Sequence, residues 1–180
     1  KNDIAGIKEV IPFESLSSLK KKLARILESN SKINSIDEWS FYSTAIECIS
    51  IPCTVKKIES KAFAECRCLK TIKFSEDSEL NCVGSHLFYN SSLINLIVPQ
   101  NVRKMGRSFF YQCHNLESIE FLGDYLVFIE RTFVGCTSLS IVLFSRARKV
   151  TFGMDVFHQI SEECRLFFVS GAQVENEILL

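Results

Sequence analysis

The chain has 180 residues, 47% of them hydrophobic, with 15 Phe against a single Trp; that is enough for one domain with a sizeable core. Its 21 basic and 21 acidic side chains cancel, so charge gives no argument for a nucleic-acid partner. No apolar run approaches the roughly 20 residues of a membrane span, which argues against membrane insertion in this sequence.

The opening stretch, "KNDIAGIKEV", lacks the basic-then-apolar layout of a secretory signal. Behind it, "SLSSLKKKLARIL" (residues 15–27) places Leu16, Leu19, Leu23, Ile26 and Leu27 at helical spacing, with serines available to cap the start. The spacing predicts an amphipathic helix, and residues 1–30 form an N-terminal cap over the first end of the domain core. A degenerate repeat around Phe13 is the alternative. Lys20, Lys21, Lys22 and Arg25 are read as the solvated face of the helix.

From residue 31 to 168 the chain repeats itself. A ladder of anchor residues, Phe41, Phe63, Phe88, Phe110, Phe133 and Phe157, recurs at 22, 25, 22, 23 and 24 residues, within the range of leucine-rich repeats. Five residues before the anchors stand Ile36, Ile58, Val83, Met105, Phe128 and Phe152. Three residues earlier come Ile33, Val55, Leu80 and Val102, with Tyr125 and Lys149 in the last two copies. After each of the first five anchors comes a segment of the form L-x-x-I-x-I: "IECISI", "LKTIKF", "LINLIV", "LESIEF" and "LSIVLF". Each unit is too short to bury its own apolar face, so the units must stack into a solenoid with one continuous core. The L-x-x-I-x-I segments then become short parallel strands, one rung about every 4.8 Å. Gly84, Gly106 and Gly153 stand just after the residue five before the anchor, where a turn with positive φ is expected. Pro52 and Pro99 stand directly after two strands, where a missing N–H ends pairing at little cost. Leu166 and Phe168 make a last strand. Glu163 replaces the expected Leu there, as a capping unit with one polar side requires, and residues 169–180 form a C-terminal tail or cap.

These residues carry a family resemblance. "IPCTVKKIESKAFAECRCLKTIKF" and "VPQNVRKMGRSFFYQCHNLESIEF" resemble the BspA-type leucine-rich repeat, roughly I-P-x-x-V-x-x-I-G-x-x-A-F-x-x-C-x-x-L-x-x-I-x-I. "CRLFFVSG" is similar to the segment that closes such arrays, with Ser170 in place of Pro. The resemblance implies a leucine-rich repeat solenoid of about six repeats of 22–25 residues, a parallel sheet on one face, and short irregular or helical turns. It also implies a protein of the cell surface or a secreted one, adhering to host matrix or partner cells.

The cysteines are read as packing rather than chemistry. Cys66, Cys113 and Cys136 each stand three residues after an anchor, the C position of the repeat, where a small weakly polar side chain packs or bonds locally. Cys48, Cys53, Cys68, Cys82 and Cys164 show no metal-ligand spacing. Unpaired thiols in this number suit a reducing compartment, so a cytoplasmic protein is the alternative to a surface one. His86, His114 and His158 fall on unlike positions, and there is no G-x-S-x-G, P-loop or dinucleotide fingerprint. The expectation is a non-enzymatic protein without a cofactor.

Two surfaces remain as candidates for a partner. On the sheet face, the variable strand positions form a column of Ser50, Lys73, Ile97, Glu120, Leu143 and Phe167. Beside it stand Cys48, Thr71, Asn95, Ser118, Ile141 and Arg165. Lys73, Asn95, Ile97, Ser118, Glu120, Ile141, Leu143 and Phe167 are the expected contacts with a protein ligand, and Ile97, Ile141, Leu143 and Phe167 form an apolar patch of the kind that marks interfaces. The second candidate is a basic ridge of Lys56, Lys57, Arg103 and Lys104 on the other wall, continued by Arg148 and Lys149. It would take an acidic protein or a sulfated glycan, or stay solvated. The leading function is a protein–protein interaction module, with an intracellular scaffold or adaptor as the alternative. Phe109, one position off the anchor register, is expected to matter much less to the core than Phe110.

Overall fold

The computed structural model describes residues 32–169 and 171–176. The helix expected over residues 15–27, and Phe13, lie outside the described residues. Among the described residues thirteen strands run in chain order: β1 Ser35–Ile36, β2 Cys48–Ile51, β3 Lys57–Ile58, β4 Thr71–Phe74, β5 Cys82–Val83, β6 Asn95–Val98, β7 Lys104–Met105, β8 Ser118–Phe121, β9 Tyr125–Phe128, β10 Ile141–Phe144, β11 Lys149–Phe152, β12 Arg165–Phe168 and β13 Gln173–Asn176. The even-numbered strands β2, β4, β6, β8, β10 and β12 form one six-stranded sheet, in chain order from edge to edge. The opposite wall carries two smaller sheets, β1-β3-β5 and β7-β9-β11-β13. Every pairing with a recorded register is parallel. This is a leucine-rich repeat solenoid, and the described residues contain no α-helix.

The anchors occupy the core as the ladder predicts. Phe41, Phe63, Phe88, Phe110 and Phe133 are buried, Phe157 partly so. Their rings stack in one column at centroid spacings of 4.9, 5.9, 5.4, 5.4 and 5.5 Å. A shorter second stack runs from Phe121 through Phe144 to Phe168 at 5.6 and 4.6 Å. These spacings sit close to the strand repeat, so ring stacking and backbone pairing are satisfied together.

The turns around the anchors obey a rule that the side chains do not advertise. In all six repeats the residues two before and two after the anchor have left-handed φ. Before it stand Trp39, Lys61, His86, Ser108, Arg131 and Asp155; after it stand Ser43, Glu65, Asn90, Gln112, Gly135 and Gln159. The alternation aims successive N–H groups at the next rung: Lys61, Phe63 and Glu65 donate to the carbonyls of Ser85, Leu87 and Tyr89 at 3.0, 3.1 and 2.7 Å. Such φ values cost non-glycine residues about 1–3 kcal/mol each, a cost offset only when surrounding bonds over-determine the conformation.

Three expectations are corrected. Gly84, Gly106 and Gly153 do not have positive φ; among the described glycines only Gly135 and Gly171 do. The reason for glycine is close approach: a Cβ at Gly84 would lie 2.2 Å from the Ser60 nitrogen, and one at Gly106 would lie 2.6 Å from the Gly84 oxygen. Phe109 is buried to 2% exposure, its ring edge-on to Phe88 at 5.3 Å and to Phe110 at 4.8 Å. The position before the anchor faces inward in its neighbours too, as buried Ala62, Leu87, Thr132 and Val156 show. In the last two units Tyr125 and Lys149 do not take the place of Val55, Leu80 and Val102. The wall strand lengthens to four residues there, and Leu126 and Val150 fill the core one position later.

Candidate binding surfaces

Alternation along the even-numbered strands leaves two columns outside the core. Asn95, Ser118, Ile141 and Arg165 lie in register across β6, β8, β10 and β12, and so do Ile97, Glu120, Leu143 and Phe167. At the other end Cys48 pairs with Thr71 and Ser50 with Lys73. The expected face residues are therefore brought together, with Lys73 on β4 beside the rest. Ile97, Ile141 and Phe167 are 56%, 43% and 47% exposed, whereas Leu143 is half-buried between its neighbours. Polar groups stitch the face: the Ser118 hydroxyl donates to Asn95 Oδ1 at 2.6 Å, and the Ser145 hydroxyl to the Glu120 carboxylate.

The sheet parts between β4 and β6, a feature the repeat pattern does not predict. Their only register pair is Thr71 with Asn95, whereas the other strands of this sheet pair over four residues. A local difference accompanies the parting. The residue after the strand donates its N–H back to the preceding rung at Ser75, Leu122 and Ser145, reaching the carbonyls of Ile51, Val98 and Phe121 at 3.4, 3.1 and 3.2 Å. Pro99 holds that place after β6 and has no N–H to offer. The unit between Phe63 and Phe88 is also the longest, 25 residues. Beside the parting lies a groove of about 660 Å³ lined by Lys73, Phe74, Glu76, Ile97, Pro99 and Arg146 among others.

On the opposite wall the basic residues stand interleaved with acids. Lys56 pairs with Glu79 at 3.0 Å, Arg103 with Asp124 at 3.8 Å, Lys149 with Glu175 at 2.8 Å, and Lys57 with Glu59. The hydrogen bond from Lys57 to Glu59 holds the Lys57 ammonium above its ordinary value. Strand β5 lies between Lys57 and Lys104, the two-rung separation expected.

All eight cysteines are free thiols. Those at the C position are buried, and each donates to the carbonyl of the anchor one rung earlier: Cys66 to Phe41, Cys113 to Phe88 and Cys136 to Phe110, at 3.0, 2.9 and 3.1 Å. Burial pushes the Cys66 thiol up, and burial together with the neighbouring Cys113 pushes Cys136 well up, so neither is poised as a nucleophile. His114 is exposed while Cys113 beside it points into the core. No cluster of metal-ligating side chains occurs among the described residues. No helix among them is long and apolar enough to cross a membrane.

Comparison with known proteins agrees with this architecture. Residues 34–163 match the family model described as the BspA type leucine rich repeat region, in six copies. A search of curated proteins gives no match. Among solved structures, the chain is similar to the pneumococcal vaccine antigen PcpA, with 18% identity and a TM-score of 0.53, covering 81% of this chain and 36% of that one. It is also similar to the T. pallidum leucine rich repeat protein, with 21% identity and a TM-score of 0.53, covering 72% of each chain. The matched region contains all six anchors, and the chain belongs to the BspA-type leucine-rich repeat family.

Proposed function

We propose that this domain is a non-catalytic module that binds a protein partner through its six-stranded sheet face, in adhesion at a cell surface. The observation that carries the reading is the register: Ile97, Ile141 and Phe167 are large, apolar and exposed on one sheet, with half-buried Leu143 among them. Surfaces of this mixed apolar and polar character suit proteins, with a few central residues carrying most of the energy. The groove beside Ile97 adds a recess at the same face. The acids interleaved along the basic ridge lower its field and weigh against an acidic or sulfated ligand there. A vaccine antigen among the proteins of similar fold suits a surface role. A second reading, an intracellular scaffold using the same face, is favoured by the eight free thiols.

A pull-down with the purified domain, repeated with Leu143→Asp and with Lys57→Glu, tests the binding face. The captured partner should be lost with Leu143→Asp and kept with Lys57→Glu. The reverse pattern would move the site to the basic ridge and make an acidic or sulfated ligand the better reading.

A further inference from the structure

The two ends of the solenoid differ. At the first end the inward-facing residues are enclosed: Phe41, Ile49 and Ile51 are 1%, 3% and 1% exposed. They head the core columns that finish at Phe157, Leu166 and Phe168. At that last end the core lies open. Leu166 stands in register with Val142, and Val174 with Val150. Val142 and Val150 are 0% exposed, whereas Leu166 and Val174 are 36% and 49% exposed. Phe157, Ile160 and Phe168 are only partly buried on the same rung.

The last rung also leaves both walls with an edge. Among the described residues β12 ends the six-stranded sheet and β13 ends the sheet opposite. Each pairs on one side only, with β10 and β11. An edge strand offers a row of N–H and C=O groups to another chain. The open end is therefore a cross-section of the core framed by two strand edges, one on each wall. That shape is demanding. An occupant must pair with both edges and lay apolar side chains on Leu166, Phe168 and Val174 between them. Residues 177–180 number four, against the 22–25 of a rung, too few to run along both walls.

We infer that this open end docks against the same end of a second copy of the chain, the two related by a twofold axis along the sheet normal. A second copy carries both edges at the matching separation, because it is built on the same rung. The twofold reverses strand direction, so β12 meets its mate antiparallel and the six-stranded sheet continues from one copy into the next. On the opposite wall β13 can meet its mate across the same axis. Side-chain alternation limits the register, since residues directly opposite share a face. Leu166 therefore falls opposite Phe168 of the second copy or opposite its own equivalent, all of them facing the core. Either register sets Glu162 and Glu163 against the turn around Gly171 of the second copy, not against each other. Because the first end is closed, a head-to-tail chain is barred and assembly stops at two. The inference does not rest on partner binding by the sheet face, because it uses the end of the stack.

Analytical ultracentrifugation of the 180-residue chain, over a broad concentration series, should show a monomer–dimer equilibrium and no larger species. Hydrogen exchange read by mass spectrometry should slow in β12 and β13 as the dimer fills, and stay unchanged in β2. Val174→Lys, at a position already half exposed, should weaken dimerisation roughly tenfold or more, with the fold retained by circular dichroism. Leu166→Lys should act in the same direction. Ile97→Asp, on the sheet face, should leave the dimer intact, so loss of partner binding and loss of the dimer are told apart. A monomer at every concentration would overturn the inference. If β12 and β13 were already protected in it, the chain's own tail would cover the end; if they exchanged freely, a different protein would. Oligomers that keep growing, a dimer protected at β2 instead, or one indifferent to both lysines would overturn it as well.

Discussion

The Cys113 thiol donates to the carbonyl oxygen of Phe88 at 2.9 Å, tying a side chain of one rung to the backbone of the rung before it. Cys66 and Cys136 repeat the bond on their own rungs. Thr44 and Ser91 stand at the same position in other copies, their hydroxyls 3.5 Å from the sulfurs of Cys66 and Cys113. The position therefore asks for a small donor that tolerates burial, not for a thiol as such. Cys113→Ser should melt close to the native protein. Cys113→Val, which removes the donor, should cost about 1 kcal/mol. A Cys113→Val as stable as Cys113→Ser in thermal melting would show that the bond contributes nothing.

Thiol reactivity should divide the cysteines by place. Cys48, Cys68 and Cys82 are exposed and should react first with an alkylating reagent, while buried Cys66, Cys113 and Cys136 should wait for unfolding. Because burial raises Cys66 and Cys136, raising the pH moderately should do little to speed their labelling in the folded protein. Mass spectrometry of the labelled protein should find all eight modified in denaturant without reductant. Six or fewer would mean that disulfides form, and that the compartment is an oxidising one.

Phe110→Ala should cost about 3–5 kcal/mol, because a ring is removed from the middle of a stack. Phe109→Ala should cost a similar amount, since its ring is equally enclosed. Chemical denaturation separates this from a register in which only the anchors face inward, where Phe109→Ala would be nearly silent.

Gly106→Ala should destabilise by about 2 kcal/mol or more, as overpacking against atoms that cannot rotate away. The added methyl would meet the Gly84 carbonyl and the Ser85 α-carbon at 2.6 and 2.7 Å, all of it backbone. The rungs would have to part to admit it. A neutral effect would mean that the rungs are not so tightly stacked.

Much of this molecule was legible in its residues, and the reasons for the rest are physical. Stacking demands that the same place be apolar in every copy, so Phe41 to Phe157 and the strands after them announced both the solenoid and the two exposed columns. The left-handed pair around each anchor left no such trace. Those places carry Trp39, Lys61, His86, Arg131 and Gln159 among others, because the inter-rung N–H bonds fix the backbone whatever the side chain. Glycine misled for the complementary reason: at Gly84 and Gly106 the demand comes from the neighbouring rung, which local sequence does not show. Pro99 was visible as one missing donor beside Ile97. Its consequence appears only when Ser75, Leu122 and Ser145 show what the other rungs do.

The most direct test is the sheet face itself. Ile97 is the most exposed of its large apolar residues and borders the groove, so Ile97→Asp removes binding surface without touching the core. Against a partner captured by the native domain, calorimetric titration should show Ile97→Asp weakening the Kd more than tenfold, about 1.4 kcal/mol. Its melting temperature should stay close to native. Unchanged affinity in Ile97→Asp, with loss in Lys57→Glu, would contradict the sheet face as the binding surface.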